Sequence, residues 1–249
     1  MTYTIQEEYT LPSKGKLYNI PFDPTIKLRS MTVADEMKRL QVSDNPYKVM
    51  AEIIDDCLIT KLPVSAYDMC MGDYQFLLHK LRVVTYGPEY KLKIRCPYCG
   101  EIFDNTLNLD ELDVKYLETD ISDDFIINLP KSGSVVELRL QTPRDLDWIA
   151  QRTKEIKKNF PDMEGSPVIA LTLQTMIKSI DGKPLNPALA YDNLKQLPAA
   201  DMNKIVQRAT KLNEMVGIDT AIKAECPSCH GDVNTTFRFT NEFFGPETD

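Results

Sequence analysis

The chain has 249 residues, 43% of them hydrophobic and 27% charged, and a formal net charge of -8. That length suits one large domain or two small ones, and no run approaches the ~18 uninterrupted apolar residues of a membrane helix. The diffuse acidic balance argues against a nucleic acid held through phosphate contacts. Met1 to Glu8 lacks the basic region and apolar run of a secretory signal, so the expected setting is the cytoplasm where the chain is made.

Leu11-Pro12-Ser13-Lys14-Gly15 reads as a turn and Thr25 to Arg29 as a strand. Thr32 with Asp35 resembles a capping box in which Asp replaces the usual Glu or Gln. Pro46 to Leu58 carries Val49, Met50, Ile53, Ile54 and Cys57 at spacings of three and four, which predicts a helix with one buried face. Its proline sits at the start, where a missing N–H costs nothing. Tyr74 to Val84 predicts a second helix ending near Gly87-Pro88, with His79 among Phe76, Leu77 and Leu81 as a satisfied structural histidine. Lys91 to Arg95 then leads into Cys96-Pro97-Tyr98-Cys99-Gly100, and alternation follows from Phe103 to Leu109: strand, metal-type turn, strand.

The chain then repeats this grammar. Leu129-Pro130-Lys131-Ser132-Gly133 is a turn, Val135 to Leu140 a strand, and Thr142 with Asp145 a second capping box. Lys154 and Lys158 read as a solvated helix end complementing the dipole. Pro167 to Ile180, ending at Asp181-Gly182, and Asp201 to Val216, ending at Gly217, are predicted helices. Ala221 to Glu225 enters Cys226-Pro227-Ser228-Cys229-His230-Gly231, and Val233 to Phe239 alternates. Asn241 to Pro246 places two aromatics in a terminal tail, either a docking peptide or a tail packed on its own domain.

The shared order of elements and the matching LPxxG and CPxC punctuation point to an internal duplication. The halves run 1–120 and 121–249, joined by the acidic stretch Glu118 to Asp124. The expected fold is α+β: two similar, mostly helical lobes with short antiparallel hairpins meeting in a shared zinc ribbon.

Of the six cysteines, Cys57 and Cys70 stand alone, whereas Cys96 with Cys99 and Cys226 with Cys229 form two CxxC pairs. In a zinc knuckle such a pair is half of a tetrahedral site, and a glycine after the second cysteine lets the chain leave through positive φ. Cys96 to Gly100 fits; in the second pair the glycine comes one residue later, at Gly231. The long interval between the pairs exceeds that of a compact ribbon, but duplication lets one knuckle from each half share one ion. A closed four-sulfur site has no open position, so its zinc stabilises rather than catalyses. Two other readings compete. CPYC is also a redox tetrapeptide, making Cys96 and Cys99 candidates for a thiol-disulfide oxidoreductase, but such pairs open a helix and Glu101 to Leu107 alternates like a strand. CPSCH matches haem attachment, which requires export. A zinc-ribbon nucleic-acid binder is disfavoured by the acidic charge and by the lack of aromatics interleaved with arginines. His230 is an exposed loop residue or a replacement ligand. With two histidines and no Gly-rich phosphate loop, no other catalytic constellation stands out, and Asp55-Asp56 and Asp123-Asp124 read as surface charges.

The Leu11–Gly15 turn, the run Leu28-Arg29-Ser30-Met31-Thr32 with Asp35-Glu36, Leu81-Arg82 with Tyr86-Gly87, and the CPxCG knuckle together resemble a family from T-even-like bacteriophages. These are small baseplate hub and hub-assembly proteins of contractile tails. The resemblance covers residues 9–110 most clearly and the second half as a degenerate copy, with His230 departing from the pattern. It implies a non-enzymatic role in building the hub beneath the tail tube, with other phage hub and tail proteins as partners. It also implies residence in the host cytoplasm during assembly or in the virion baseplate. Oligomerisation within the assembly stays open.

Overall fold

The computed structural model describes residues 4–237, 239 and 241–244. Met1 to Tyr3 of the N-terminal reading, Arg238 of the expected last strand, and Gly245-Pro246 of the tail lie outside them. The first half holds strands β1 (Gln6–Thr10) and β2 (Thr25–Arg29), then helices α1 (Val33–Arg39), α2 (Pro46–Cys57) and α3 (Met71–Tyr86). Strands β3 (Glu89–Arg95), β4 (Ile102–Asn108) and β5 (Val114–Lys115) complete it. The second half continues with β6 (Ile126–Asn128), β7 (Val135–Leu138), α4 (Pro143–Asn159), α5 (Val168–Met176), β8 (Ile177–Ile180) and β9 (Lys183–Pro184). It ends with α6 (Ala190–Lys195), α7 (Ala199–Glu214), β10 (Gly217–Ile218), β11 (Ala221–Glu225) and β12 (Asp232–Thr236). The chain is α+β, and its pairings are all antiparallel: β1 with β2, β3 with β4, β5 with β10, β11 with β12, and a four-stranded sheet β6-β7-β8-β9.

Local chemistry sets the helix starts. Thr32 and Thr142 cap α1 and α4, and each box closes through an aspartate three residues on. The Asp35 carboxylate accepts from the Thr32 N–H at 2.7 Å and from Arg29 at 2.7 Å. Asp145 likewise accepts from the Thr142 N–H at 2.9 Å and from Arg139 at 2.6 Å. A second contact recurs with comparable fidelity. Asp73, third residue of α3, accepts from the Ser13 N–H at 2.9 Å and from the Ser13 and Tyr18 hydroxyls. Asp201, third residue of α7, accepts from the Lys131 and Ser132 N–H groups at 2.7 and 2.8 Å. Each LPxxG turn is thereby pinned by a buried carboxylate, because its turn amides need acceptors that no strand supplies.

One expected element divides. Residues 167–180 form α5 only to Met176, and Ile177 to Ile180 form β8 against β7 and β9. Asp181 and Gly182 both take positive φ, 50° and 72°. They turn a hairpin, which an Asp-Gly pair favours, rather than stop a helix.

The larger core joins Ile54, Leu77 and Leu81 to Ile222, Val233 and Phe243, so side chains after residue 221 pack on the first half. Phe243 and Phe244 are buried. Of the two readings of the tail, packing on its own domain is what these aromatics do, at about 1.5–3 kcal/mol for each ring removed from water. Arg82 accounts for the Leu81-Arg82 and Tyr86-Gly87 motif. Buried on α3, it donates to the carbonyls of Gly87, Glu89 and Phe243 and lies 4.8 Å from the Tyr86 ring centre. A second core gathers Val136, Ile205 and Leu212 with Leu117. Between the cores, α3 meets β10 so closely that a Cβ on Gly72 would sit 2.4 Å from the Val216 carbonyl oxygen.

His79 is buried and its Nε2 lies 2.8 Å from the Leu109 carbonyl oxygen, but Nδ1 has no partner among the described residues. It is therefore only half satisfied. Burial pushes its pKa down to about 4, which keeps the ring neutral.

Candidate metal centre

The hairpins β3–β4 and β11–β12 bring the two CxxC pairs together. Each turn closes the same way. The Cys96 N–H donates to the Glu101 carbonyl at 2.8 Å and the Gly100 N–H to the Cys96 carbonyl at 3.1 Å. Cys226 donates to Gly231 at 3.1 Å and His230 to Cys226 at 2.9 Å. Gly100 takes φ 80°, and the residue in its place is His230, at φ 56°. The glycine one step later thus does not supply the positive φ. Gly231 instead makes room, since a Cβ there would meet the Tyr98 ring at 2.7 Å.

The four sulfurs lie within 4.8 Å of one another. Cys96 Sγ is 3.6 Å from Cys229 Sγ, and Cys99 Sγ is 3.6 Å from Cys226 Sγ. Both distances are far beyond the ~2.05 Å of a disulfide. Four sulfurs around a tetrahedral zinc at ~2.3 Å stand ~3.8 Å apart, so the donor set fits such an ion in number, type and spacing. Cys96 and Cys226 are buried and Cys99 and Cys229 exposed, which puts the cluster at the rim of the larger core. His230 is outside the cluster. Its Nδ1 is 2.8 Å from Glu225 Oε1, and its side chain is 78% exposed.

The thiols are electrostatically unequal. The Cys99 N–H, with help from Tyr98 and Cys229, pulls Cys96 down to about 6. At Cys229 the Gly231 N–H pulls the same way, but Cys99, burial, Cys96 and Cys226 outweigh it and push the thiol up to about 12. Clustered thiols resist a second negative charge, and a cation among them removes that resistance. Both CxxC turns run from strand to strand, so the helix N-terminus on which a redox pair depends is absent here.

The chain matches the family model described as T4 bacteriophage base plate protein over residues 2–245. It belongs to that family. No curated protein and no solved structure matches it. Membership makes the chain a structural component of a phage tail baseplate, with other phage tail proteins as partners. No helix among the described residues is long and apolar enough to cross a membrane.

Proposed function

We propose that this baseplate protein is a non-enzymatic component of the hub, built from two repeats, 1–120 and 121–249, and stapled by one structural zinc on Cys96, Cys99, Cys226 and Cys229. The convergence of four sulfurs from the two halves carries the reading. The repeat is supported by the matched contacts of Arg29–Asp35 with Arg139–Asp145 and of Asp73 with Asp201. The closed sulfur set leaves no coordination position for a substrate, in keeping with structural work in the host cytoplasm during assembly and in the particle.

Elemental analysis of the purified protein, with a native thiol count, tests this. About one zinc per chain and four protected thiols is the expected result. The CPYC tetrapeptide and the lowered Cys96 thiol favour thiol-disulfide exchange instead. A metal-free protein with one fast-alkylating cysteine would replace the staple with that chemistry.

A further inference from the structure

The sulfur cluster is graded by exposure. Cys96 and Cys226 are buried, whereas Cys99 and Cys229 are exposed. Two sulfur–sulfur contacts of 3.6 Å cross between the hairpins, Cys96 Sγ to Cys229 Sγ and Cys99 Sγ to Cys226 Sγ. Each contact therefore joins a buried sulfur to one that solvent reaches, and each joins the first half of the chain to the second. Closing such a gap to the ~2.05 Å of a disulfide asks for about 1.5 Å of movement, which the rotations of two side chains share. The other two thiols do not compete. Cys57 and Cys70 are buried, and burial pushes each of them up to about 12.

The setting of the chain changes over its working life. A tail baseplate protein is made in a reducing cytoplasm, where thiols persist, and ends in a particle outside the cell, where disulfides form and endure. We propose that the cluster is also an oxidative modification site, converted by a peroxide into two disulfides that cross between the halves, Cys96 to Cys229 and Cys99 to Cys226. This deepens the staple reading and rests on its four-sulfur cluster. The bridges span 133 and 127 positions, so they tie the two hairpins together as the ion does, but covalently.

The chemistry follows the grading. The thiolate of exposed Cys99 or Cys229 attacks one oxygen of hydrogen peroxide, the O–O bond breaks and hydroxide leaves, giving a sulfenic acid. The buried thiolate 3.6 Å away, Cys226 or Cys96, attacks that sulfur; the S–S bond forms, the S–O bond breaks and a second hydroxide leaves. Each disulfide takes two electrons from sulfur, consumes one peroxide and, with two protons from solvent, yields two waters. A metal ion held by the four sulfurs is released as the free dication, since no thiolate remains to bind it.

Disulfide mapping of the full chain tests this. Protein purified under reductant is treated with hydrogen peroxide, its remaining thiols are blocked with N-ethylmaleimide in denaturant, and it is digested without reduction for mass spectrometry. The expected result is Cys96 bridged to Cys229 and Cys99 to Cys226, with Cys57 and Cys70 alkylated. The oxidised protein should then keep its Tm in a chelator and lose it to dithiothreitol. Bridges within the turns, Cys96 to Cys99 and Cys226 to Cys229, overturn the proposal. So do bridges between chains, or sulfinic acids without bridges. Metal content before oxidation separates this from the staple: a zinc-free protein that gives the cross-half bridges keeps the modification site and ends the zinc reading. A zinc-loaded protein whose four thiols survive peroxide keeps the staple and ends the modification site.

Discussion

On the shared-zinc proposal, removing one cysteine from the cluster undoes the whole staple, so Cys96→Ser and Cys226→Ser are expected to be equivalent although they lie in different halves. Cys99 and Cys226 are 127 positions apart. A cross-link closing a loop of that length lowers unfolded-chain entropy enough to stabilise by about 5 kcal/mol on the chain-entropy model. Zinc retained by cysteines of the unfolded chain reduces that figure, which is therefore a ceiling. In a chain of this size 1 kcal/mol moves Tm by about 2–4 °C, so each substitution lowers Tm by up to about 10–20 °C. Scanning calorimetry of the two single variants, the double variant and wild type, with and without a chelator, measures it. The double variant should lose no more than either single one, and chelation should bring wild type to the same Tm while leaving the variants unchanged. Losses that add would mean two independent sites. A silent Cys226→Ser beside a damaging Cys96→Ser would refute the shared ion.

Gly72→Ala drives a Cβ into the Val216 carbonyl and should cost about 1–3 kcal/mol in urea unfolding; no loss would mean that the α3–β10 approach is loose. His230→Gly keeps the turn, because the new residue adopts φ 56° without strain. It should leave zinc stoichiometry unchanged, and loss of metal would make His230 a ligand. Burial raises the Asp35 carboxyl, but Arg29 and Thr32 outweigh it and hold it at about 2, below the ordinary 3.8. Its contribution is thus complete above the unfolded pKa and lost as pH falls toward 2; Asp35→Asn should flatten that acid limb, and an unchanged limb would refute the pairing. On chelation, amide exchange should accelerate in β3–β4 and β11–β12 while α3 stays protected, and a uniform rise over all three would show that the metal holds the core itself.

What the sequence made legible was short in range. The Thr32 and Thr142 boxes span four residues each, and α2 shows its buried face through spacing alone. The four cysteines stand out because ligand chemistry requires paired spacing, and the expected repeat supplies the reason to join distant pairs. The pinning carboxylates could not be read this way. Asp73 lies 60 positions from Ser13 and Asp201 lies 70 from Lys131, and an aspartate in a first helical turn looks like a dipole partner. Ile177 to Ile180 was lost to its neighbours, since a short apolar run after a helix has no period of its own. At His230 the residue type concealed the backbone. Histidine is among the non-glycine residues that reach positive φ, and only the bond from its N–H to Cys226 shows that it occupies the place of Gly100.

The position of the cysteines shows where the proposed metal would add most to the fold. The halves are already joined by Gly72 against Val216, by Arg82 on Phe243, and by α2 on α4, contacts that bury backbone, ring and charge without an ion. The Cys hairpins rest on the larger core mainly through half-buried side chains such as Tyr90, Leu92 and Phe103. Of β3 only Ile94 is buried, of β11 only Ile222 and of β12 only Val233. Two-stranded hairpins with so little apolar surface are marginal by themselves. On the zinc proposal, four thiolates on one divalent ion add bonds that reach across both hairpins at once, so the order of the hairpins is expected to depend on the metal while the helical cores keep theirs.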